Sequence, residues 1–237
     1  MLKRMKTILG RVCVPDELDM IEHYRTPAER TADLVVHVVG LTLAAVGGVV
    51  LAVLAALYSG VGAVVATAAY ALCLIVMLTV STIYNQTRPC AARPILRRMD
   101  EAAIFLMIAG SYTPFTTQRF EGAWSVGFTL LVWAVALGGV FVKLIAPRLS
   151  DAFWSAVYIG FGWLAVLALK PMIETVHPIA LALLVAGGLI YTAGVFVFIS
   201  PRVKFRRAIW HAFVVTGAMT HWAAVLVGVV LAPAALG

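Results

Sequence analysis

Apolar residues in this chain come in long unbroken runs, and polar residues are confined to the gaps between them. A helix needs about 20 predominantly apolar residues to cross the hydrocarbon of a bilayer. Seven segments qualify: Leu34–Leu57, Gly62–Tyr84, Ala102–Gln118, Ala123–Val142, Ala152–Leu169, Pro178–Ser200 and Ala208–Ala232. The third is the shortest and most polar, and its Gly110-Ser111-Tyr112-Thr113-Pro114 stretch predicts an interruption of the helix. The alternation expected of a membrane β-barrel is missing. The pattern predicts an all-α, polytopic membrane protein with a seven-transmembrane-helix bundle. Residues 1–33 then form a cytoplasmic N-terminal arm and residues 34–237 the transmembrane domain.

Composition agrees with this class. Of 237 residues, 62% are hydrophobic and 12% charged, and the mean hydropathy is +0.99. A soluble domain carries roughly a quarter charged residues, so a soluble globular enzyme is excluded. A disordered chain, which needs low hydrophobicity and high charge, is excluded as well.

Charge sets the expected orientation. Sixteen of the eighteen Lys and Arg residues fall in the N-terminal arm and in the loops two–three, four–five and six–seven. Only Arg119 and Lys170 fall on the other side. Cytoplasmic loops carry the excess of basic residues, so the N-terminus is expected in the cytoplasm and the C-terminus outside. The expected location is the cell (plasma) membrane, multi-pass. The net charge of +7 then points to anionic lipid as the partner, with no nucleic acid.

Smaller features fit the same picture. Cys13, Cys73 and Cys90 make no disulfide framework. Lys3, Arg4 and Lys6 are not followed by an apolar stretch before Asp16 and Glu17, so no cleavable signal peptide is expected. Leu2, Met5, Ile8, Leu9 and Val12 recur at helical spacing. They fit either a short helix on the inner leaflet or a frayed tail. Gly40, Ala44 and Gly48 form a small-residue stripe that lets helices approach closely. The loops are short, so any chemistry must sit between the helices.

Ionisable groups in or beside a span are costly and are functional candidates by default. Glu29, Asp33 and His37 lie at i, i+4, i+8 on one face at the start of span one. Ser81 and Asn85 end span two, Asp100 and Glu101 begin span three, and Arg207 and His211 begin span seven. All four clusters lie near the inner leaflet. His221 lies roughly 15 Å deeper than His211 at 1.5 Å per residue and reads as a hydrogen-bonded core histidine. His177 and Glu174 read as solvated in an outer loop, and His23 lies on the arm.

Three stretches resemble the hemolysin III family, which belongs with the progestin and adipoQ receptors. They are Ser81-Thr-Ile-Tyr-Asn85, Asp100-Glu-Ala-Ala-Ile-Phe-Leu-Met-Ile-Ala-Gly-Ser-Tyr-Thr-Pro114, and His211 followed ten residues later by His221. The opening Glu29…Asp33…His37-Val-Val-Gly40 is similar too. The resemblance runs from about Tyr24 to Val230. It implies seven helices, a cytoplasmic N-terminus and a zinc site inside the inner leaflet. The implied ligands are a histidine ending Ser-x-x-x-His in span two and a His-x-x-x-His pair in span seven, with a Ser and an Asp nearby. Related ceramidases are thought to use a similar set against an amide bond. In this chain Ser81, Asp100 and His211 match that set. Asn85 and Arg207 replace the other two histidines, and Glu101 stands where the family often has His.

The substitutions change the expected chemistry. Catalytic zinc takes three protein ligands plus water. Asn offers a neutral carbonyl oxygen, and Arg offers no lone pair and stays protonated. The zinc site is therefore expected to be degenerate. Arg207 is expected to fill the metal's space, to form a structural ion pair with Asp100 or Glu101, and to hydrogen-bond the Asn85 carbonyl. The rival reading of Arg207 is a side chain snorkelling to lipid headgroups. The expected role is membrane lipid homeostasis or sensing, with or without catalysis. The alternatives are a metal-dependent lipid amide hydrolase with a rebuilt site and a membrane-perturbing, pore-forming hemolysin. In the rebuilt site Glu101, His37 and His211 would converge with Asp100. There Asp100 would orient or deprotonate a metal-polarised water and Ser81 would hydrogen-bond it.

Overall fold

The computed structural model describes residues 24–145 and 149–232. The amphipathic stretch 2–12, the residues behind the signal-peptide reading, Cys13 and His23 lie outside the described residues.

Helix α1 spans Pro27–Tyr58, α2 Gly60–Gln86, α3 Arg93–Gln118 and α4 Gly122–Ile145. Helix α5 spans Asp151–Gly162, α6 Leu169–Thr175, α7 Pro178–Phe198 and α8 Arg206–Val225. A 3₁₀ turn at Leu164–Ala168 joins α5 to α6, and a π turn at Leu226–Val230 extends α8. Among the described residues, six helical stretches are long and apolar enough to cross a membrane. They are α1, α2, α4, the compound stretch Asp151–Thr175, α7 and Arg206–Val230. Helix α3 is as long as its neighbours, but Arg93, Arg97, Arg98, Asp100 and Glu101 occupy its first turns. The outward faces carry exposed Val49, Val53, Leu130, Leu137, Val185 and Leu189. Water would penalise such a surface and lipid would not. The chain is a polytopic helical membrane protein.

Local signals explain the helix starts. Thr26 caps α1 by accepting the Glu29 N–H at 3.2 Å, and Pro27 takes the first turn, where its missing N–H costs nothing. The helix therefore begins seven residues before the apolar run, which places Asp33 and His37 inside it, both fully buried. Glu29 also accepts the Arg25 N–H at 2.8 Å and the Phe205 N–H at 3.3 Å. Phe205 is left-handed, with φ 55°, just before α8. One carboxylate thus ties the start of α1 to the start of α8. Arg30 ties α1 to the end of α2 through the Gln86 carbonyl at 2.5 Å.

The bundle closes around two cores. One packs Leu51, Tyr70, Leu74, Phe115, Val215 and Val225 between α1, α2, α3 and α8. The other packs Phe105, Phe128, Val132, Trp154 and Phe161 between α3, α4 and α5. The small-residue stripe on α1 works as expected: a Cβ on Gly40 would stand 2.6 Å from Val215, and one on Gly48 2.8 Å from Ala71. Trp222 is a packing residue, its Nε1 donating to the Gly47 carbonyl at 2.9 Å.

The interruption expected at Gly110–Pro114 does not occur; α3 runs through Pro114 unbroken. A proline ring strains the carbonyl four residues back, and here that residue is Gly110, which packs directly on Cys73. Hydroxyls of Ser111, Thr113 and Thr117 bond the carbonyls of Ile108, Ala109 and Thr113 at 2.7, 2.9 and 2.7 Å. Transmembrane helices tolerate proline with such support. The break lies instead in the compound stretch Asp151–Thr175, between α5 and α6. Tyr112 repairs it: its hydroxyl donates to the Gly162 carbonyl and accepts the Ala165 N–H, both at 2.8 Å. Tyr112→Phe leaves both backbone groups without that partner. We expect a loss of about 1–3 kcal/mol, read as a lower thermal midpoint in detergent; an unchanged midpoint would contradict this role.

Candidate functional site

The site sits where α1, α2, α3 and α8 meet at the basic end of the bundle. Asp33 and His37 come from α1, Ser81 and Asn85 from α2, Asp100 and Glu101 from α3, and Arg207 and His211 from α8. Three of these residues form a tight group. The His211 Nδ1 stands 2.6 Å from Asp33 Oδ1, and His37 Nε2 stands 3.5 Å from Asp33 Oδ2. The two imidazole centroids are 4.3 Å apart. Tyr24 donates its hydroxyl to Asp33 Oδ2 at 2.5 Å. Tyr24 lies outside the spanning helices, and burial beside the Asp33 carboxylate pushes its phenol well above the usual range. Asp33, His37 and His211 each offer a ligand atom within 4.8 Å of the others, so the group is geometrically able to hold a metal.

The second group centres on Asn85. Its Nδ2 donates to the Ser81 carbonyl at 3.0 Å and the Ser81 hydroxyl at 3.3 Å. Its Oδ1 accepts from Arg207 at 2.8 Å. The expected Arg207–Asn85 hydrogen bond is thus present. Asp100 has Ser81 as its side-chain neighbour.

The ion pair expected between Arg207 and Asp100 or Glu101 is not formed among the described residues. Glu101 pairs instead with Arg97, one turn earlier on α3, at 2.7 Å and with Lys143 on α4. Arg97 pairs in turn with Asp151. Lys143 lies over the Trp154 ring, 4.1 Å from its centroid. Glu101 is one residue past Asp100 on the helix, about 100° around its axis; both line the cavity, but their side-chain partners differ. The rebuilt set expected from Asp100, Glu101, His37 and His211 does not assemble either. The acid that joins the two histidines is Asp33. The spacing Asp33…His37 signalled a shared face, yet nothing in it indicated that His211 would meet that face. Tyr24 carried no signal at all.

A cavity of about 1410 Å³ lies beside both groups. Its polar end includes Ser81, Asn85, Asp100, Arg207 and His211, and its walls are apolar residues of α2, α3, α5, α7 and α8. Of the Asp33–His37–His211 group, only His211 lines it. His221 stands deeper on the same wall, its Nε2 3.2 Å from the Leu184 carbonyl, as a core histidine should. His177 caps α7 by accepting the Ile179 N–H at 3.2 Å.

A family model described as "Haemolysin-III related" matches residues 27–222. The chain belongs to the hemolysin III family. It is 32% identical over 203 residues to the "Hemolysin-3 homolog" of Bacillus subtilis, covering 85% of this chain and 94% of the relative. It is equally identical over 200 residues to "Hemolysin-3" of Bacillus cereus, covering 84% and 90%. The human "Monocyte to macrophage differentiation factor" is 32% identical over 127 residues, 53% of this chain and 52% of that protein. Within a hemolysin III frame, Asn85 and Arg207 do not fit a zinc ion at the implied positions. A guanidinium bonded to the Asn85 oxygen occupies that oxygen and supplies charge of the wrong sign.

Arg207 and Asn85 should act as a unit. Arg207→Ala and Asn85→Ala are each expected to lower thermal stability in detergent. The double variant should lose less than the sum, by a coupling of about 0.5–3 kcal/mol. Strict additivity would show that the bond contributes nothing.

Proposed function

We propose that this hemolysin III-family protein acts in membrane lipid homeostasis or sensing, at the cytoplasmic leaflet of the plasma membrane. The observation that carries the reading is the cavity, which joins long apolar walls to one polar end. Such a shape suits a lipid whose chain lies among α3, α5 and α7. Its head would meet Ser81, Asn85, Asp100, Arg207 and His211. The basic residues clustered at that end support a cytoplasmic N-terminus, an external C-terminus and seven spans, with α3 as the seventh.

Zinc, in this reading, is held through His211 and not by the Asn85 and Arg207 positions. Bound zinc polarises a water or carbonyl oxygen. The chain's own contribution is positional. Asn85 holds Ser81 and Arg207 in place, and Arg207 offers charge-assisted hydrogen bonds to a head group.

A second reading, a lipid amide hydrolase, is favoured by one observation: Ser81, Asp100 and His211 share the cavity wall. There Asp100 would orient a water and Ser81 would hydrogen-bond it.

Lipid extracted from the detergent-purified protein and analysed by mass spectrometry tests the main reading. Ser111→Trp places a large ring in the cavity. It should weaken lipid binding about tenfold or more, a change of about 1.4 kcal/mol. Retention of lipid by the filled variant would sink the reading. Turnover of an N-acyl sphingosine by the wild type would select the hydrolase.

A further inference from the structure

We propose that Asp33, His37 and His211 form a buried divalent-metal site, with zinc the metal their ligand set suits. This set shares only His211 with the ligands that the family implies, and it draws its other two from α1.

Three observations carry the assignment. The first is proximity: one ligand atom from each residue lies within 4.8 Å of the others. The second is burial. Asp33 and His37 are 0% exposed and His211 is 6% exposed. A carboxylate at such a depth needs partners; Tyr24 and His211 contact its two oxygens, and a metal shared with the two histidines would add a cation. The third is His37. Neither of its ring nitrogens makes a hydrogen bond, although both are buried. An imidazole left this way is destabilising, and Asp33 Oδ2, 3.5 Å from its Nε2, already holds the Tyr24 hydroxyl. A metal would take up the lone pair on one of the His37 nitrogens, and the other would keep its N–H.

The ligand chemistry is selective. Two imidazoles and one carboxylate match zinc sites that keep a fourth position for water, and a mixed nitrogen–oxygen set suits the borderline metals in general. The surroundings are pre-organised. Tyr24 holds Asp33 Oδ2, an outer contact of the kind that orients metal-binding carboxylates. Glu29 fastens α1 to the start of α8 one turn before Asp33. Arg207, one turn before His211, places a cation nearby, but its guanidinium is engaged by Asn85. The Asp33 carboxylate supplies the compensating negative charge. Since only His211 also lines the cavity, the metal would stand behind the cavity wall.

The test uses the full chain purified in detergent. Zinc is removed with a chelator, restored, and counted by elemental mass spectrometry after desalting. Near-stoichiometric metal is expected in the wild type. His37→Gln and Asp33→Asn, which preserve most of the side-chain shape, should reduce it to background, and His221→Gln should keep it. Cobalt loading of the wild type gives a second readout that depends on no variant: visible ligand-field bands saturating near one equivalent. Absence of both zinc and cobalt bands in the wild type overturns the site. Loss of metal in His221→Gln with retention in His37→Gln overturns it as well. Lipid content measured on the same preparations keeps the two ideas apart. Lipid without metal removes the metal site alone, and metal without lipid removes the lipid reading alone.

Discussion

A carboxylate with no access to solvent governs the basic end of this bundle. Asp33 is buried on α1, and each of its oxygens is claimed by a residue from a different part of the chain: His211 on α8 and Tyr24 before α1. Burial of an unpaired charge would be prohibitive, so these partners must be in place for α1 and α8 to pack. The contact joins the first and last long helices, and the intervening spans are arranged around that closure. The ties made by Glu29 to Phe205 and by Arg30 to Gln86 lie within one turn of it. The polar contacts of α1 with α2 and α8 thus gather around Asp33 at its start, and small residues such as Gly40 and Gly48 set the helix spacing farther along α1.

Two neighbouring polar groups share this level without merging. Asn85 links Ser81 to Arg207, while Asp33 links His37 to His211. His211 and Arg207 stand one helical turn apart on α8, so α8 contributes to both. Asn85 and Arg207 form a neutral-to-cationic hydrogen-bonded pair on the cavity side. The acid–imidazole cluster lies behind it. The acids of α3 have divided as well: Asp100 stays with Ser81, and Glu101 joins Arg97 and Lys143 in a separate network that ties α3 to α4 and α5.

Much of this architecture is legible in the pattern of residues. Continuous apolar runs locate the spans, because lipid exposure demands them. The i, i+4 pairs mark polar faces, because a helix places such residues side by side. What the pattern withholds is pairing between helices. Asp33 and Asp100 are equally plausible partners for His211 in one dimension; only the packing of α1 on α8 selects Asp33. The Pro114 signal misled for a related reason. Its effect on α3 depends on Gly110 and on the hydroxyls that bond carbonyls on either side of it. The true break at Leu164–Ala168 is made of aliphatic residues, but Gly162 and Pro171 flank it, and Pro171 has no N–H to give the Leu167 carbonyl.

That break bears on how the protein is assembled. Backbone groups freed inside a bilayer have no water to turn to, and each costs several kcal/mol until a partner arrives. The stretch Asp151–Thr175 cannot supply the partner itself, because the hydroxyl that serves Gly162 and Ala165 belongs to Tyr112 on α3. Synthesis delivers α3 first. The stretch Asp151–Thr175 can therefore insert against a helix already carrying its missing donor and acceptor. A rearranged chain in which that helix followed would have to store an unsatisfied turn in lipid and wait.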